Sequence, residues 1–368
     1  MQSFMFNRES DTKIMEEKFT IDRYSGSHLE SDDIRLSLSE NECGFSKKVK
    51  KRLEKEIEII NMYPDADYSE LISKIAKKNK IIPSQVYIAN GSDEIIFTVV
   101  AGLRKKLNRI ISFEKSFAGY RNSADFIGVA FKELPISDSV EQFFEIGMCK
   151  GDMIIFPNPH NPLGIRMNDE FINQLAQYTK EKEAFLVVDE AYIEFCGNSC
   201  IDILSKYNNM FIIRTFSKAY GLAGLRCGYV MSSVENIDNL YLLRKSLPYN
   251  VNRMAYAAAC EAIEDEEFLK YTIEKTVKNR EWFEKELKSL GIEFYKSYTN
   301  FVTIVIEDSR LFVDRIYEEK KILLKDLEGL GYKNHIRIAI GKRQHLEEIL
   351  FFIKQYVGEK CSLSIQLE

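Results

Sequence analysis

The sequence predicts an α/β protein: a mostly parallel central sheet flanked by helices, with a smaller α+β domain after it. Three observations carry this. First, apolar runs of strand length recur through the middle of the chain, at Val86–Ala89, Arg109–Phe113, Met153–Phe156, Phe185–Val188, Met210–Ile213 and Gly228–Met231. Second, segments with a helical period lie between several of them, such as 169-DEFINQLAQYTKEKEA-184. Strands separated by a dozen or more helical residues read as βαβ units, which build parallel sheets. Third, the texture changes near residue 245. Residues 251–290 are helical in pattern and rich in Glu and Lys, centred on 267-EFLKYTIEKTVKNREWFEKELKSLG-291, and lead to strand candidates 300-NFVTIVI-306 and 336-IRIAI-340. A closing helix follows at His345–Val357. The 368 residues exceed what one core usually serves. The expected division is an N-terminal segment, 1–45, joining the smaller domain; a large domain, 46–245; and a small C-terminal domain, 246–368.

Bulk properties narrow the function. A net charge of −5 offers no basic excess to meet phosphates in bulk, which argues against nucleic-acid or anionic-membrane partners. No apolar run reaches about 18 residues, so no membrane span is expected. The opening MQSFMFNRESDTK has too short an apolar stretch for a signal peptide. Seven scattered cysteines (Cys43, Cys149, Cys196, Cys200, Cys227, Cys260, Cys361) do not form a secreted disulfide framework. Cys196 and Cys200 lack a second Cys/His pair nearby to complete a zinc site, so no metal is expected. These features place the protein in a reducing, cytoplasmic setting.

In an open parallel sheet, ligands bind beyond the carboxyl ends of the strands. The run Met153–Phe156 is followed by 157-PNPHNPLG-164, which holds Asn161; Phe185–Val188 by 189-DEAY-192; and Met210–Ile213 by 214-RTFSK-218. Asn161, Asp189, Tyr192 and Lys218 are thereby expected in one neighbourhood. Upstream, 90-NGSDE-94 joins a strand to a helical stretch. Its backbone N–H groups and positive dipole end suit a phosphate, while Ser92 or Asp93 as a plain helix cap is the competing reading.

The stretch 214-RTFSKAYGLAGLRCGY-229 is neither a Walker loop nor a dinucleotide fingerprint, because its lysine precedes the glycines and no G-x-G pair exists. A lysine at a buried strand end beside an aspartate is either a satisfied ion pair or a Schiff-base lysine kept partly desolvated. The wider set favours the second reading. Pyridoxal phosphate presents an aldehyde, a pyridine nitrogen, a phenolic oxygen and a phosphate. Lys218 suits the first and Asp189 the second. Asn161 and Tyr192 suit the third, and Ser217, Arg226 and the Ser92–Asp93 amides suit the phosphate. Glycines 221, 224 and 228 are expected to permit tight turns and close strand approach.

The chain resembles fold-type I pyridoxal-phosphate enzymes, most closely the histidinol-phosphate aminotransferase group, over nearly all of its length. The residues carrying the resemblance are 63-YPDADYSELISKIA-76, 90-NGSDE-94, 157-PNPHNPLG-164, 187-VVDEAYIEF-195, 214-RTFSKAYGLAGLRCGY-229, 248-PYNVN-252 and 336-IRIAIG-341. The resemblance implies that Lys218 holds the cofactor as a Schiff base and shuttles a proton, and that Asp189 keeps the pyridine nitrogen protonated. Phe117 would stack on the ring, although core packing is the default for a lone Phe. Thr215 would join the phosphate shell. Tyr63 would reach the cofactor phosphate of a neighbouring subunit, implying a homodimer. Arg337 would grip the substrate α-carboxylate.

Departures cluster around the substrate. The family usually carries Asn-Glu-Asn-Pro where this chain has 37-SLSENECG-44, with Ser39 in the first Asn place, Asn41 in the second and Glu42 in the Pro place. Lys325, in 322-ILLKDLEG-329, stands where the family usually has a phosphate-binding arginine. A point charge there replaces a planar fork, and an exposed surface lysine is the alternative reading. Tyr24 matches a further substrate-shell tyrosine. The expected activity is amino-group transfer from an amino acid, glutamate first, to a keto acceptor of the small phosphorylated kind. Its rival is a decarboxylase of a phosphorylated amino acid on the same fold. A non-catalytic cofactor-binding regulator finds no support, since no DNA-binding segment or basic patch is visible.

Overall fold

Strand β1 (Val86–Ala89) opens a seven-stranded sheet that continues with β2 (Arg109–Phe113), β3 (Ala130–Leu134), β4 (Met153–Pro157), β5 (Phe185–Asp189), β6 (Met210–Thr215) and β7 (Gly228–Met231). The structure, a computed structural model, describes residues 33–365. The spatial order is β1-β7-β6-β5-β4-β2-β3. The β3–β2, β2–β4, β4–β5 and β5–β6 pairings are parallel, while β7 runs antiparallel to both β6 and β1. The sheet is therefore mostly parallel, with an antiparallel turn at one side.

Burial on both faces explains the apolar runs. Leu186, Val188, Met210 and Ile212 pack into one core, whereas Val187, Phe211 and Ile213 pack into the other. Alternate side chains of one strand thus enter opposite layers, so every position must be apolar. Helices α3 (Ser92–Gly102), α4 (Ala118–Ile127), α5 (Asp169–Glu181) and α6 (Val234–Arg244) cover this sheet, together with α1 (Lys47–Ile57), α2 (Ser69–Asn79) and α7 (Arg253–Ala262). Their starts follow capping chemistry. The Asn168 side chain accepts from Phe171 N–H ahead of α5, and Ser46 from Lys48 N–H ahead of α1.

The stretch 251–290 is two helices, α7 and the long α8 (Glu266–Ser289), separated where Asp265 caps the second. After α8 come β8 (Phe301–Val305), α9 (Ser309–Lys320), β9 (Lys325–Asp326), β10 (His335–Ala339) and the closing α10 (Arg343–Ile365). They hold a three-stranded antiparallel sheet in the order β9-β10-β8. Arg337 on β10 lies opposite Thr303 on one side and Lys325 on the other. Leu36 ties the N-terminal side of the chain to this region: its N–H donates to the Leu323 carbonyl at 2.9 Å, and its carbonyl accepts from Ala339 N–H at 2.9 Å.

Strand β3 was not among the expected strands. Its residues AFKEL alternate, with only Leu134 buried, as suits an edge strand with one parallel neighbour. Of the three glycines in the 221–228 stretch, Gly221 and Gly228 are required by close approach. An added Cβ would lie 1.9 Å from the Gly44 carbonyl oxygen at Gly221, and 2.9 Å from Ser92 N at Gly228. Gly224 has open space around it.

Candidate active site at the strand ends

The carboxyl ends of β4, β5 and β6 lie side by side. Pro157 pairs with Asp189, and Asn158 N–H donates to the Asp189 carbonyl at 2.8 Å. Glu190 N–H in turn reaches the Ile213 carbonyl at 2.8 Å. This fixes Asp189 as the last residue of a buried strand. Its Oδ2 accepts from the Tyr120 hydroxyl at 2.8 Å and its Oδ1 from Ala191 N–H at 3.1 Å. Burial pushes the Asp189 carboxyl up to about 6; the Tyr120 and Ala191 bonds pull against that, and the negative charges of Asp93 and Glu190 add to it.

Lys218 follows β6 by three residues. Its Nζ donates to the Leu38 carbonyl at 3.0 Å and the Ser39 carbonyl at 3.4 Å, and stands 5.3 Å from the centre of the Tyr192 ring. Tyr192 is buried and meets Phe301 edge-on at 5.2 Å. The Arg337 guanidinium lies 5.2 Å from that same Phe301 ring. Its Nη1 donates to Asn161 Oδ1 at 2.6 Å, and its Nη2 to the Ser37 carbonyl at 2.8 Å. Tyr192 and Arg337 thus both meet Phe301, Arg337 also bonds Asn161, and Lys218 lies beside Tyr192, which draws together residues that follow β4, β5 and β6 with one on β10.

A second group of donors lies at the start of α3. Its N-cap is Gly91, which makes no side-chain cap bond, so neither Ser92 nor Asp93 serves as the cap. Asp93 Oδ2 instead pairs with Arg226 Nη2 at 2.7 Å. Arg226 Nη1 reaches Ser217 Oγ at 3.4 Å; Thr215 Oγ1 donates to Ser217 Oγ at 3.0 Å and accepts from Ser217 N–H at 3.1 Å. A Cβ at Gly91 would sit 2.7 Å from Arg226 Nη2, so the guanidinium can lie against the helix start only because that residue is glycine. A helix N-terminus, a hydroxyl and a guanidinium together suit a phosphate dianion. The buried Asp189 carboxyl suits a ring N–H⁺, and the Lys218 amine suits an aldehyde. The residues present fit pyridoxal phosphate.

The remaining expected residues are more spread out. Phe117 immediately precedes α4 and meets Tyr120 edge-on at 5.5 Å. Asn41 uses its side chain on the protein: Nδ2 donates to the Ala219 carbonyl at 2.9 Å, and Oδ1 accepts from Cys43 N–H at 2.9 Å. It thus holds the 39–44 turn against the Lys218 loop. Lys325 faces the same strand position as Arg337. Tyr63 stands apart at 77 % exposure, stacked on Tyr249 at 4.6 Å. Tyr24 lies outside the described residues.

Sequence reasoning missed three features. Tyr120, one helical turn beyond Phe117, reaches Asp189. Arg214 and Glu190 form a buried ion pair at 2.9 Å, bound also by Ser199. The backbone of residues 37–39 crosses the site and supplies carbonyl oxygens to both Lys218 and Arg337. Only the first carried a signal, a tyrosine placed at i+3 from the expected stacking aromatic.

A sheet with these residues at its strand ends defines an enzyme of the pyridoxal-phosphate class. Residues 32–353 match the model of the family Aminotransferase class I and II, and the chain belongs to that family of pyridoxal-phosphate-dependent aminotransferases. It is 35 % identical to the histidinol-phosphate aminotransferase of Thermotoga neapolitana over 327 residues, covering 87 % of this chain and 92 % of the relative. Among solved structures, it superposes on the histidinol-phosphate aminotransferase of Sinorhizobium meliloti in complex with pyridoxal-5'-phosphate. That match has a TM-score of 0.77 and 23 % identity, covering 86 % of this chain and 89 % of that one. The L-threonine-O-3-phosphate decarboxylase of Porphyromonas gingivalis matches with a TM-score of 0.80 and 22 % identity, covering 88 % and 99 % of the two chains. At these identities the two structures show the shared fold alone.

Proposed function

We propose that this aminotransferase moves an amino group from an amino acid, glutamate first, to a keto acceptor that carries a phosphate, as the names of its curated relatives suggest. The observation that supports this most directly is that Lys218 and Arg337 both bond the main chain of residues 37–39, with Asn161 bonded to Arg337 and Tyr192 beside Lys218. Pyridoxal phosphate bound there supplies a carbonyl that captures amines and a ring that takes up electrons from Cα.

The chain's own residues do the rest. Lys218 would hold the cofactor through its amine, and that amine would serve to take and return the proton at the substrate Cα. Asp189 holds the ring nitrogen in its charged form. Asn161 and Tyr192 donate to the phenolic oxygen, and Phe117 covers the ring face. The α3 amides at Ser92 and Asp93, with Thr215, Ser217 and Arg226, hold the phosphate. Arg337 presents two parallel N–H groups to the α-carboxylate, and Lys325, opposite it in the sheet, extends the positive field toward a second anionic group. Tyr24 and Asn41 belong to the same substrate shell, Asn41 by fixing the loop. Tyr63, exposed beside Ile60 at 61 % and Met62 at 50 %, suits a contact that completes the site of a second subunit in a homodimer. Within the described residues, 46–245 would form the cofactor domain, and 33–45 with 246–365 the smaller one. Among the described residues no helix is long and apolar enough to cross a membrane, and a cytoplasmic setting agrees with that.

The deciding experiment follows the amino group. Holoenzyme incubated with glutamate should lose its yellow colour and release 2-oxoglutarate. Borohydride should fix the cofactor to wild-type protein and leave Lys218→Ala unlabelled. Carbon dioxide from a phosphorylated amino acid, with no keto acid, would instead establish the decarboxylase; a reducible adduct surviving in Lys218→Ala would overturn the assignment of the lysine.

A further inference from the structure

We propose that Tyr120 is a positioning residue: its hydroxyl, bonded to Asp189 Oδ2, sets how strongly Asp189 holds charge on the cofactor ring. This rests on the placement of the ring nitrogen at Asp189 given above. Tyr120 is 1 % exposed, on the first turn of α4, and its hydroxyl reaches the carboxylate at 2.8 Å. Burial and the Asp189 charge hold the phenol well above its ordinary range, so it stays a donor across the working pH range.

The carboxylate has few other supports. Oδ1 takes the Ala191 amide, whereas Oδ2 takes only Tyr120 among the described residues. The charged groups nearby are unhelpful to an anion: Asp93 on α3 and Glu190 just after β5 are both acidic. Tyr192 also acts on Tyr120, and Arg226 is paired with Asp93. Tyr120 is thus the one side chain that donates to Asp189 among the described residues. A donor to the charged form favours that form. Without it the carboxylate becomes more basic, and the proton it shares with the ring nitrogen lies closer to oxygen. The ring then carries less positive charge, and the Lys218 nitrogen joined to it becomes more basic. The colour of the holoenzyme should therefore titrate at higher pH.

The test compares holoenzymes of the wild type, Tyr120→Phe, Asp189→Ala and the double variant. Tyr120→Phe should raise the pH midpoint of the visible absorbance. It should also weaken pyridoxal phosphate binding about ten-fold, the size expected for losing one hydrogen bond to a charged group. In the Asp189→Ala background the same change should do nearly nothing, because Tyr120 acts through that carboxylate. A difluorinated tyrosine at 120 keeps the shape and donates more strongly, so it should lower the midpoint; it also serves if Tyr120→Phe does not fold. An unchanged midpoint in both Tyr120 proteins, or an equal loss with and without Asp189, would overturn the proposal. If Asp189→Ala itself leaves affinity and midpoint unchanged, the ring placement fails rather than the role of Tyr120.

Discussion

At the scale of single residues, the polar layer under the active site contains one carboxyl without support. Glu194 follows Tyr192 by two residues. It is half-buried as a residue, yet both its carboxyl oxygens are enclosed and have no hydrogen-bond partner among the described residues. Arg214, the nearest cation, is committed to Glu190 at 2.9 Å. Burial raises the Glu194 carboxyl from 4.5 to about 7. The sign follows from linkage. The folded state binds this proton more tightly than the unfolded one, so the group favours folding in acid and opposes it as pH rises from about 4.5 to 7. Glu194→Gln should therefore gain stability relative to wild type across that interval, approaching about 3 kcal/mol at pH 8. Melting temperatures of both apoproteins at pH 5 and pH 8 check this; parallel shifts would refute it. Sequence gives no warning of such a residue, since Glu on a polar-looking DEAYIEF segment reads as exposed. The placement of the candidate site residues was far more legible. Asn161, Asp189 and Lys218 each follow an apolar run, and a run buried on both faces leaves little doubt where it ends.

At the scale of elements, three pieces of backbone meet without side chains between them at the proposed phosphate site. Strand β7 passes the start of α3 so closely that a Cβ at Gly228 would lie 2.9 Å from both Gly91 C and Ser92 N, and 3.0 Å from the Arg214 carbonyl oxygen. These are backbone atoms held by neighbouring strands, which cannot yield as a flexible side chain would. Gly228→Ala should cost about 1–3 kcal/mol of stability by overpacking. It should also weaken pyridoxal phosphate binding at least ten-fold, seen by equilibrium titration of the apoprotein. An alanine variant that binds as tightly as wild type would show that the close approach is not needed. The reversed direction of β7 could not be read from GYVM, because strands buried on both faces look alike in either direction. Strand β3 was hidden for the opposite reason: at the edge it needs no continuous apolar run.

At the scale of the whole molecule, the exposed surface around Tyr63 is where the proposed homodimer can be tested. Ile57, Ile60, Met62, Tyr63 and Leu247 are each half or more exposed, an apolar grouping that monomers seldom leave in water. If Tyr63 completes the site of the neighbouring subunit, each active site needs Lys218 from one chain and Tyr63 from the other. Mixing inactive Lys218→Ala with impaired Tyr63→Ala subunits should then recover about half of wild-type activity per mixed dimer, because one of its two sites pairs an intact Lys218 with an intact Tyr63 and the other has neither. Recovery of none would place Tyr63 outside the partner's site. The helical stretch and strands after residue 245 were visible from the change in texture there, but the exposed apolar side chains near Tyr63 were not, since nothing in a linear sequence separates an exposed apolar residue from a buried one.

The carbonyls of residues 37–39 have one more consequence. Arg337 already gives one of its outer N–H groups to Ser37 O and the other to Asn161, and Lys218 leans on Leu38 O and Ser39 O. A substrate carboxylate that takes the Nη2 side of Arg337 would compete with the Ser37 carbonyl and push that main chain aside. Because Leu36 is stitched into the C-terminal sheet on the other side, the displaced segment has somewhere rigid to hinge from. Saturating the holoenzyme with a non-reacting dicarboxylate should change amide exchange in residues 36–41 more than anywhere in β4–β6. If those amides are unmoved while the acid binds, the displaced-backbone picture fails. If they do move, the very stretch in which this chain departs from its family is the part that senses whether the site is full.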